Sequence, residues 1–185
     1  LLKFINQVLI FLLRCNNQKD YATNYLFISN NERGRLKILS PLYFEGQRMG
    51  KDIDLVNGDL FRPSLHVWQI ARWYRDTLSD FREVKRYCHE QGLLFNSIFW
   101  LRICSLYNAK YLSISRRYMN LSVMVVDFDR GFNVRPFVDY AKENSVRLIT
   151  FAHGHIGENN GYLPCFADVV LLWGDYYINL VAPTK

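Results

Sequence analysis

The sequence predicts an α/β fold with a parallel sheet, because three short apolar runs lie near its carboxyl-terminal end. They comprise residues 122–126, 146–151 and 169–173, and none alternates between apolar and polar residues. Such runs are typical of parallel strands that are covered on both faces. A helical pattern over residues 133–144 separates the first two runs, as a parallel connection requires. We therefore expect a Rossmann-like parallel sheet with flanking helices and a helix-rich amino-terminal part.

The helix between the first two runs has recognisable boundaries. Asn133 can cap its first turn, Pro136 is tolerated there, and the pattern continues to about Asn144. A helix that joins two parallel strands makes a right-handed crossover. Residues 121–185 are therefore expected to form a βαβ core within a single α/β domain that covers residues 1–185.

The first 120 residues are expected to be rich in helix and interrupted by loops. Helical spacing predicts a helix over residues 1–13, and the β-favouring residues 25–29 predict a strand followed by a turn. The region from Glu45 to Gly58 contains three glycines and predicts loops at the surface.

Helices are also predicted between Ser64 and Met119. Ser64 can cap the first of them, and Gly92 closes it. A second helix is expected from Leu93 to Leu106 and a short third one from Tyr111 to Met119. The predicted buried stripe of the first helix comprises Val67, Ala71, Tyr74, Leu78, Phe81, Val84 and Cys88. The arginines that lie off this stripe are Arg72, Arg75, Arg82 and Arg86.

Composition excludes several classes of protein. Half of the 185 residues are hydrophobic and 16% are aromatic, so the chain buries a core and is not disordered. It contains no run of eighteen uncharged apolar residues, which excludes a transmembrane protein. The cysteines are far apart, and we expect free thiols in a reducing, cytoplasmic compartment. They are Cys15, Cys88, Cys104 and Cys165.

The net charge of +6 is unevenly distributed. Residues 1–120 carry 18 Lys and Arg against 10 Asp and Glu, which gives +8, whereas residues 121–185 carry 5 against 7, which gives −2. A basic surface can meet nucleic acid, anionic lipid or a phosphorylated ligand, and it can equally be a solvated helical face.

The predicted strands end in polar residues or glycines, which predicts a ligand site. In open parallel sheets, ligands bind beyond the carboxyl ends of the strands. We expect the three predicted strand ends to converge on one edge and to bring carboxylates, imidazoles and bare backbone together. The candidate residues are Asp127, Asp129 and Arg130 after the first strand, His153, Gly154 and His155 after the second, and Gly174 and Asp175 after the third.

His153 and Gly154 form the most informative pair. Glycine directly after a strand-end histidine lets the backbone turn sharply and approach a ligand closely. Neutral histidine is suited to take a proton from an acceptor hydroxyl near pH 7. We therefore predict that His153 is a catalytic base. The alternative is a turn histidine whose ring bonds to a backbone carbonyl, and for Asp127 the alternative is a helix or turn cap.

The order of residues over 150–175 resembles a recurrent pattern. It comprises Thr150-Phe151-Ala152-His153-Gly154, then Tyr162, Pro164 and Ala167-Asp168, then Val170-Leu171-Leu172-Trp173-Gly174-Asp175. This order is similar to the first half of the glycosyltransferases of GT-B fold that build bacterial surface and capsular polysaccharides. The resemblance covers residues 121–182, about a third of the chain, and this sequence has Ala152 where many members have Gln.

The resemblance implies the acceptor-side domain of a glycosyltransferase. Such an enzyme transfers a sugar from a nucleotide sugar to a glycan or lipid-linked acceptor, with His153 near the reacting hydroxyl. It implies no metal or other cofactor. It also implies a second, carboxyl-terminal domain for the nucleotide sugar, so this chain is expected to be part of a longer protein and inactive alone. Arginines beside the first helix imply peripheral contact with anionic lipid at the inner face of the membrane.

Two other kinds of site remain open on the residues alone. Asp127 and Asp129 follow a strand as the paired aspartates of haloacid-dehalogenase-like phosphatases do, and Thr150 and Asp175 resemble further parts of that site. Only 48 residues separate Asp127 from Asp175, and no lysine lies between Thr150 and Asp175, which argues against it. A zinc site is the other, from His153, His155, Asp168 or Asp175.

A non-enzymatic alternative is a basic module that binds nucleic acid or a protein partner. Arginines interspersed with aromatic residues can contact phosphates and stack on bases. The aromatic residues concerned are Trp68, Trp73, Tyr74 and Tyr87. Aromatic residues at helical spacing are more often core, and the chain contains no RNA-binding motif.

Overall fold

A computed structural model of the chain describes residues 23–29, 36–58, 61–127, 129, 131–151 and 165–172. These residues form two compact units. The α/β unit takes its described residues from 23–61 and 118–172, and those of the helical unit are 62–117.

The elements of the α/β unit alternate between strand and helix. In chain order they are β1 (Tyr25–Ser29), α1 (Leu36–Arg48), β2 (Ile53–Asn57), β3 (Val123–Val126), α4 (Arg135–Glu143), β4 (Arg147–Phe151) and β5 (Val169–Leu171). The helical unit lies between β2 and β3 in the chain and contains α2 (Val67–Glu90) and α3 (Ser97–Arg117).

The five strands form one parallel sheet in the order β2-β1-β3-β4-β5. Tyr25 lies opposite Ile53 on one side and Val123 on the other. Val123 in turn lies opposite Arg147, and β4 pairs with β5. The predicted α/β fold with a Rossmann-like parallel sheet and flanking helices is therefore confirmed.

Burial on both faces explains why strands β1 and β3 do not alternate between apolar and polar residues. Leu26 and Met124 are fully buried, and their neighbours Phe27 and Val125 pack with Leu39 of α1. Because successive side chains of a strand point to opposite faces, both faces of β1 and β3 lie in apolar surroundings. Water is excluded from both sides, so an alternating pattern would place polar groups in the core.

The predicted loops between Glu45 and Gly58 are wrong. Helix α1 continues to Arg48, and residues 53–57 are strand β2. Pro41 and Gly46 lie inside α1, and both residue types weigh against a helix in sequence reasoning. Of the three glycines, Gly50 occupies the turn before β2, where it has a φ of +70°.

Helix α2 begins later than predicted, and in its amino-terminal half it buries a different face, whereas Cys88 of the predicted stripe is buried. His66, not Ser64, is its N-cap, and the His66 N–H donates to Gln69 Oε1 at 3.0 Å. Val67 is 74% exposed, so its predicted place in the buried stripe is wrong, and Tyr74 is exposed as well. The residues of α2 that are buried are Gln69, Trp73, Thr77 and Cys88.

Polar side chains set this buried face. The Trp73 indole N–H donates to the Ser105 carbonyl at 2.9 Å, and the Gln69 amide donates to the Leu112 carbonyl at 3.0 Å. These contacts join α2 to α3. A count of apolar residues cannot identify a face whose burial depends on hydrogen bonds between two helices.

The remaining boundaries differ from prediction by small amounts, with one exception. Residues 97–117 form one helix, so the predicted division into a second and a third helix is wrong. The strand predicted over residues 25–29 is confirmed, as are the strands that follow residue 120. Among the described helices, none has the length and apolar character needed to cross a bilayer. The helix predicted over residues 1–13 lies outside the described residues.

Candidate functional site at the carboxyl edge of the sheet

The strand order places a topological switch point between β1 and β3. From β1 the chain continues through α1 to β2 on one side, and from β3 it continues through α4 to β4 on the other. Connections that leave neighbouring strands in opposite directions open a crevice at the carboxyl ends of those strands. This crevice is the place where an open parallel sheet binds its ligand.

Ser29 and Asp127 meet at the switch point. Ser29 ends β1 and is 0% exposed, and Asp127 directly follows β3 and is 2% exposed. The Ser29 hydroxyl donates to Asp127 Oδ2 at 3.2 Å. The Asp127 N–H donates to the Ile28 carbonyl at 3.2 Å, which fixes the carboxylate beside β1. A buried carboxylate held in this way has one orientation, in which it can accept a hydrogen bond or orient a neighbouring donor.

Gly58 supports Ser29 from the other side. It directly follows β2, and its N–H donates to the Ser29 carbonyl at 2.8 Å. A methyl group added to Gly58 would lie 3.5 Å from the side chains of Ile28 and Val134. The space beside Gly58 is therefore bounded by β1 and by the residue that precedes α4.

Thr150 extends the polar edge to β4. It lies opposite Val126 in the sheet and is almost completely buried. Strand β4 ends one residue later, at Phe151. The described ends of β1, β3 and β4 thus bring a serine, an aspartate and a threonine to one edge.

Asp129 has a contact that its sequence position did not predict. It is buried, and its Oδ2 accepts hydrogen bonds from the N–H groups of Phe166 at 2.5 Å and Ala167 at 3.1 Å. This carboxylate therefore fastens the segment before β5 to the end of β3. A substrate-binding role for Asp129 stays a prediction, and in the structure its carboxylate anchors backbone.

Phe166 is held from a second direction as well. Its ring lies under the guanidinium carbon of Arg135, 4.3 Å from the ring centroid, and the Lys142 ammonium lies 4.7 Å from the same centroid. Both cations belong to α4. Two cation–π contacts, together with the two hydrogen bonds from backbone N–H groups to Asp129, give this segment a defined position.

The carboxylate of Asp168 also accepts a hydrogen bond from the backbone. Its Oδ2 accepts from the Leu148 N–H at 2.8 Å, and its own N–H donates to the Leu148 carbonyl at 2.9 Å. These two bonds start the pairing of β5 with β4. Within the part of the chain that the structure describes, no group of three His, Cys, Asp or Glu residues is placed to hold a metal ion.

Several predicted site residues lie outside the described residues. They are Arg130, His153, Gly154, His155, Gly174 and Asp175. Of the candidates that are described, Asp127 lies at the switch point, bonded to Ser29, and Asp129 lies beside Phe166.

Sequence reasoning missed Ser29 and Gly58 as parts of this edge and considered Thr150 only for the phosphatase site. Ser29 follows the apolar run 25–28, which is the pattern that selected Asp127, whereas Gly58 follows the polar Asn57. They were missed because residues 25–29 were not assigned to the sheet and residues 53–57 were not predicted as a strand. Comparison of the chain with protein-family models, with curated proteins and with solved structures found no match.

Proposed function

We propose that this chain is the acceptor-side domain of a glycosyltransferase of GT-B type. It would act on a nucleotide sugar and transfer the sugar to a surface polysaccharide or a lipid-linked acceptor. The observation that carries the proposal is the buried pair of Ser29 and Asp127 at the switch point of a parallel sheet. The order of residues 150–175, which resembles that of such enzymes, supports it.

The described residues on either side of 152–164 are held in place by hydrogen bonds, which supports a role in binding for the segment between them. At one end the segment continues from β4, whose last residues pair with β3 beside Asp127. At the other end Asp129 binds the backbone of Phe166 and Ala167. The segment between these flanking residues contains His153 and three glycines.

The proposed chemistry assigns separate roles to the chain's own groups. His153 accepts the proton of the acceptor hydroxyl as that oxygen attacks the sugar. Asp127 positions the acceptor or the histidine, since a buried carboxylate favours a cationic or hydroxyl partner. The leaving diphosphate would be stabilised by basic groups and helix amino ends of a second domain, with no bound metal required.

The cellular place of the proposed reaction follows from its acceptor. Lipid-linked glycans are assembled at a membrane surface, so we propose a cytoplasmic protein that contacts the inner face of the membrane peripherally. Basic residues of the amino-terminal part would favour anionic lipid there.

Replacement of His153 and Asp127 in the source organism tests the proposal. His153→Ala should strongly lower the amount of surface polysaccharide, because loss of a general base slows a reaction by roughly a hundred-fold or more, and Asp127→Asn should lower it through loss of positioning. His89→Ala is the matched control, because His89 is an exposed histidine of α2 and belongs to the helical unit. Immunoblots would establish equal protein levels. Unchanged polysaccharide in both variants at equal protein levels would contradict the proposal.

A phosphatase is less well supported by the contacts of Asp129. In that mechanism the second aspartate must exchange a proton with the leaving group, whereas Asp129 is buried and bonded to two backbone N–H groups. Magnesium-dependent hydrolysis of p-nitrophenyl phosphate that disappears in Asp127→Asn would nevertheless favour it over sugar transfer.

A further inference from the structure

The end of the hairpin formed by α2 and α3 exposes apolar side chains that are held in place. We call residues 91–101 the hairpin tip. Leu93 and Leu94 lie in the connection between the helices, and Leu94 is 100% exposed. Ile98 and Phe99, in the first turn of α3, are also exposed. Large apolar side chains that are exposed together mark an interaction surface.

Backbone hydrogen bonds define the start of the connection. The Leu93 N–H donates to the Cys88 carbonyl at 2.8 Å and the Gly92 N–H to the His89 carbonyl at 3.3 Å, the two bonds of a Schellman motif. Gly92 has the φ of +62° that this motif requires. Leu93 and Leu94 therefore follow a fixed helix end.

The other side of the connection is equally defined. Asn96 Oδ1 accepts from the N–H groups of Ile98 at 3.1 Å and Phe99 at 3.0 Å, which caps α3. Phe95 turns inward, and its ring centroid lies 5.5 Å from that of Phe81 on α2. With Phe95 packed inward and Asn96 used as a cap, the leucines before them are left as the outermost side chains.

The charge around the hairpin tip indicates what it meets. Residues 91–101 contain no charged side chain. Residues 81–106 as a whole carry four basic side chains and two acidic ones. The basic residues are Arg82, Lys85, Arg86 and Arg102, and the acidic ones are Glu83 and Glu90. Glu90 lies 3.9 Å from Arg86, and Asp80, just outside this range, accepts a hydrogen bond from Asn108.

We propose that the hairpin tip inserts into the interface of an anionic lipid bilayer. Leu93, Leu94, Ile98 and Phe99 would enter the acyl boundary, and the basic side chains behind them would lie at the level of the headgroups. Apolar insertion with a cationic border is the arrangement by which peripheral proteins bind membranes. A protein partner would instead have to offer an apolar surface to the exposed side chains of the hairpin tip. The inference stands on the helical unit and does not depend on the proposed transferase activity.

Flotation of the 185-residue chain with vesicles tests the inference. Vesicles of phosphatidylglycerol mixed with phosphatidylethanolamine should carry the protein, and the double variant Leu93→Ser/Leu94→Ser should lower the partition coefficient by roughly ten-fold or more. The matched control is Val67→Ser/Trp68→Ser, which removes exposed apolar side chains at the opposite end of α2. This control should change the partition coefficient by less than about two-fold. Circular dichroism would establish that both variants are folded.

A second double variant separates the apolar from the ionic contribution to membrane binding. Lys85→Gln/Arg102→Gln should weaken binding to phosphatidylglycerol vesicles by roughly ten-fold and leave binding to pure phosphatidylcholine vesicles unchanged. Equal flotation of the wild type and the leucine variant would overturn the inference. A second outcome would also overturn it: the wild type does not float, light scattering shows that it is a dimer, and the leucine variant is a monomer. The hairpin tip would then be an interface with a second copy of the chain.

Discussion

At the residue scale, two buried side chains that can ionise make the stability of the fold depend on pH. The Tyr140 hydroxyl donates to the Tyr118 carbonyl at 2.9 Å, and burial raises the pKa of Tyr140 above its ordinary value. Burial and, secondarily, the negative charge of Asp80 raise the pKa of the Cys104 thiol to about 11. Both groups therefore stay neutral in the folded state at pH values where the unfolded chain already ionises.

The free energy of unfolding should consequently fall in alkaline solution. Because the folded pKa values exceed the unfolded ones, the unfolded state loses its protons first, and stability decreases as pH rises from about 9 towards 11. Urea titrations at a series of pH values measure how steeply the free energy of unfolding falls with pH. Tyr140→Phe combined with Cys104→Ala should flatten it, whereas Tyr74→Phe, at an exposed tyrosine, should not. A wild-type stability that is constant over this range would contradict the interpretation.

Residue identity alone predicted part of the candidate site. Asp127 was identified because it directly follows a predicted parallel strand, at the end where such sheets bind ligands. Its partner Ser29 is 98 residues away in the sequence. No local pattern relates the two, because the pairing of β1 with β3 alone brings them together.

At the scale of elements, the ends of the helices depend on a few residues with special geometry. Gly92 ends α2 with a φ of +62°, and nothing lies within 4 Å of the position that a Cβ would take. A side chain at this position would meet no steric obstacle. The cost of a substitution is therefore the backbone conformation itself.

Gly92→Ala should lower the free energy of unfolding by about 1–2 kcal/mol, the cost of left-handed backbone in a residue with a Cβ. Gly92→Asn is the matched comparison and should cost less, since asparagine adopts this conformation more readily. Urea unfolding of the three proteins gives the difference. An alanine variant as stable as the wild type would show that the Schellman motif contributes nothing to stability.

Elements with apolar sequences were predictable, and those stabilised by polar contacts were less so. Strand β3 follows from its composition alone, because both of its faces are buried, and β4 follows from its apolar run although Arg147 at its start is exposed. The face that α2 buries depends on Gln69 and Trp73, whose polar atoms bond to carbonyls of α3. Such a face becomes recognisable only when the partner helix is in place.

At the scale of the whole molecule, the α/β unit is discontinuous in sequence. Its strands come from residues 25–57 and 123–171, with the helical unit between them in the chain. The sheet still has a regular parallel order, since β1 and β3 pair across this insertion. A sequence division at residue 120 separates parts that fold together.

The proposed division of labour between domains makes a prediction for the chain of residues 1–185. It should transfer no sugar, because the groups that bind the nucleotide sugar are expected on a second domain. Incubation with radiolabelled uridine, guanosine and cytidine nucleotide sugars, and with membranes of the source organism as acceptor, measures this directly. Incorporation of label that is lost in His153→Ala would refute the need for a second domain while supporting the role of His153.

The sequence by itself determined the fold class and the edge of the sheet at which to look for a site. Those features depend on which residues avoid water, and hydrophobicity is carried by each residue locally. Only the tertiary structure decided that β1 and β2 complete the sheet, that Ser29 bonds to Asp127, and that Asp129 binds the backbone of Phe166. Hydrogen bonds between distant segments depend on the position of both partners, and that position is a property of the folded chain.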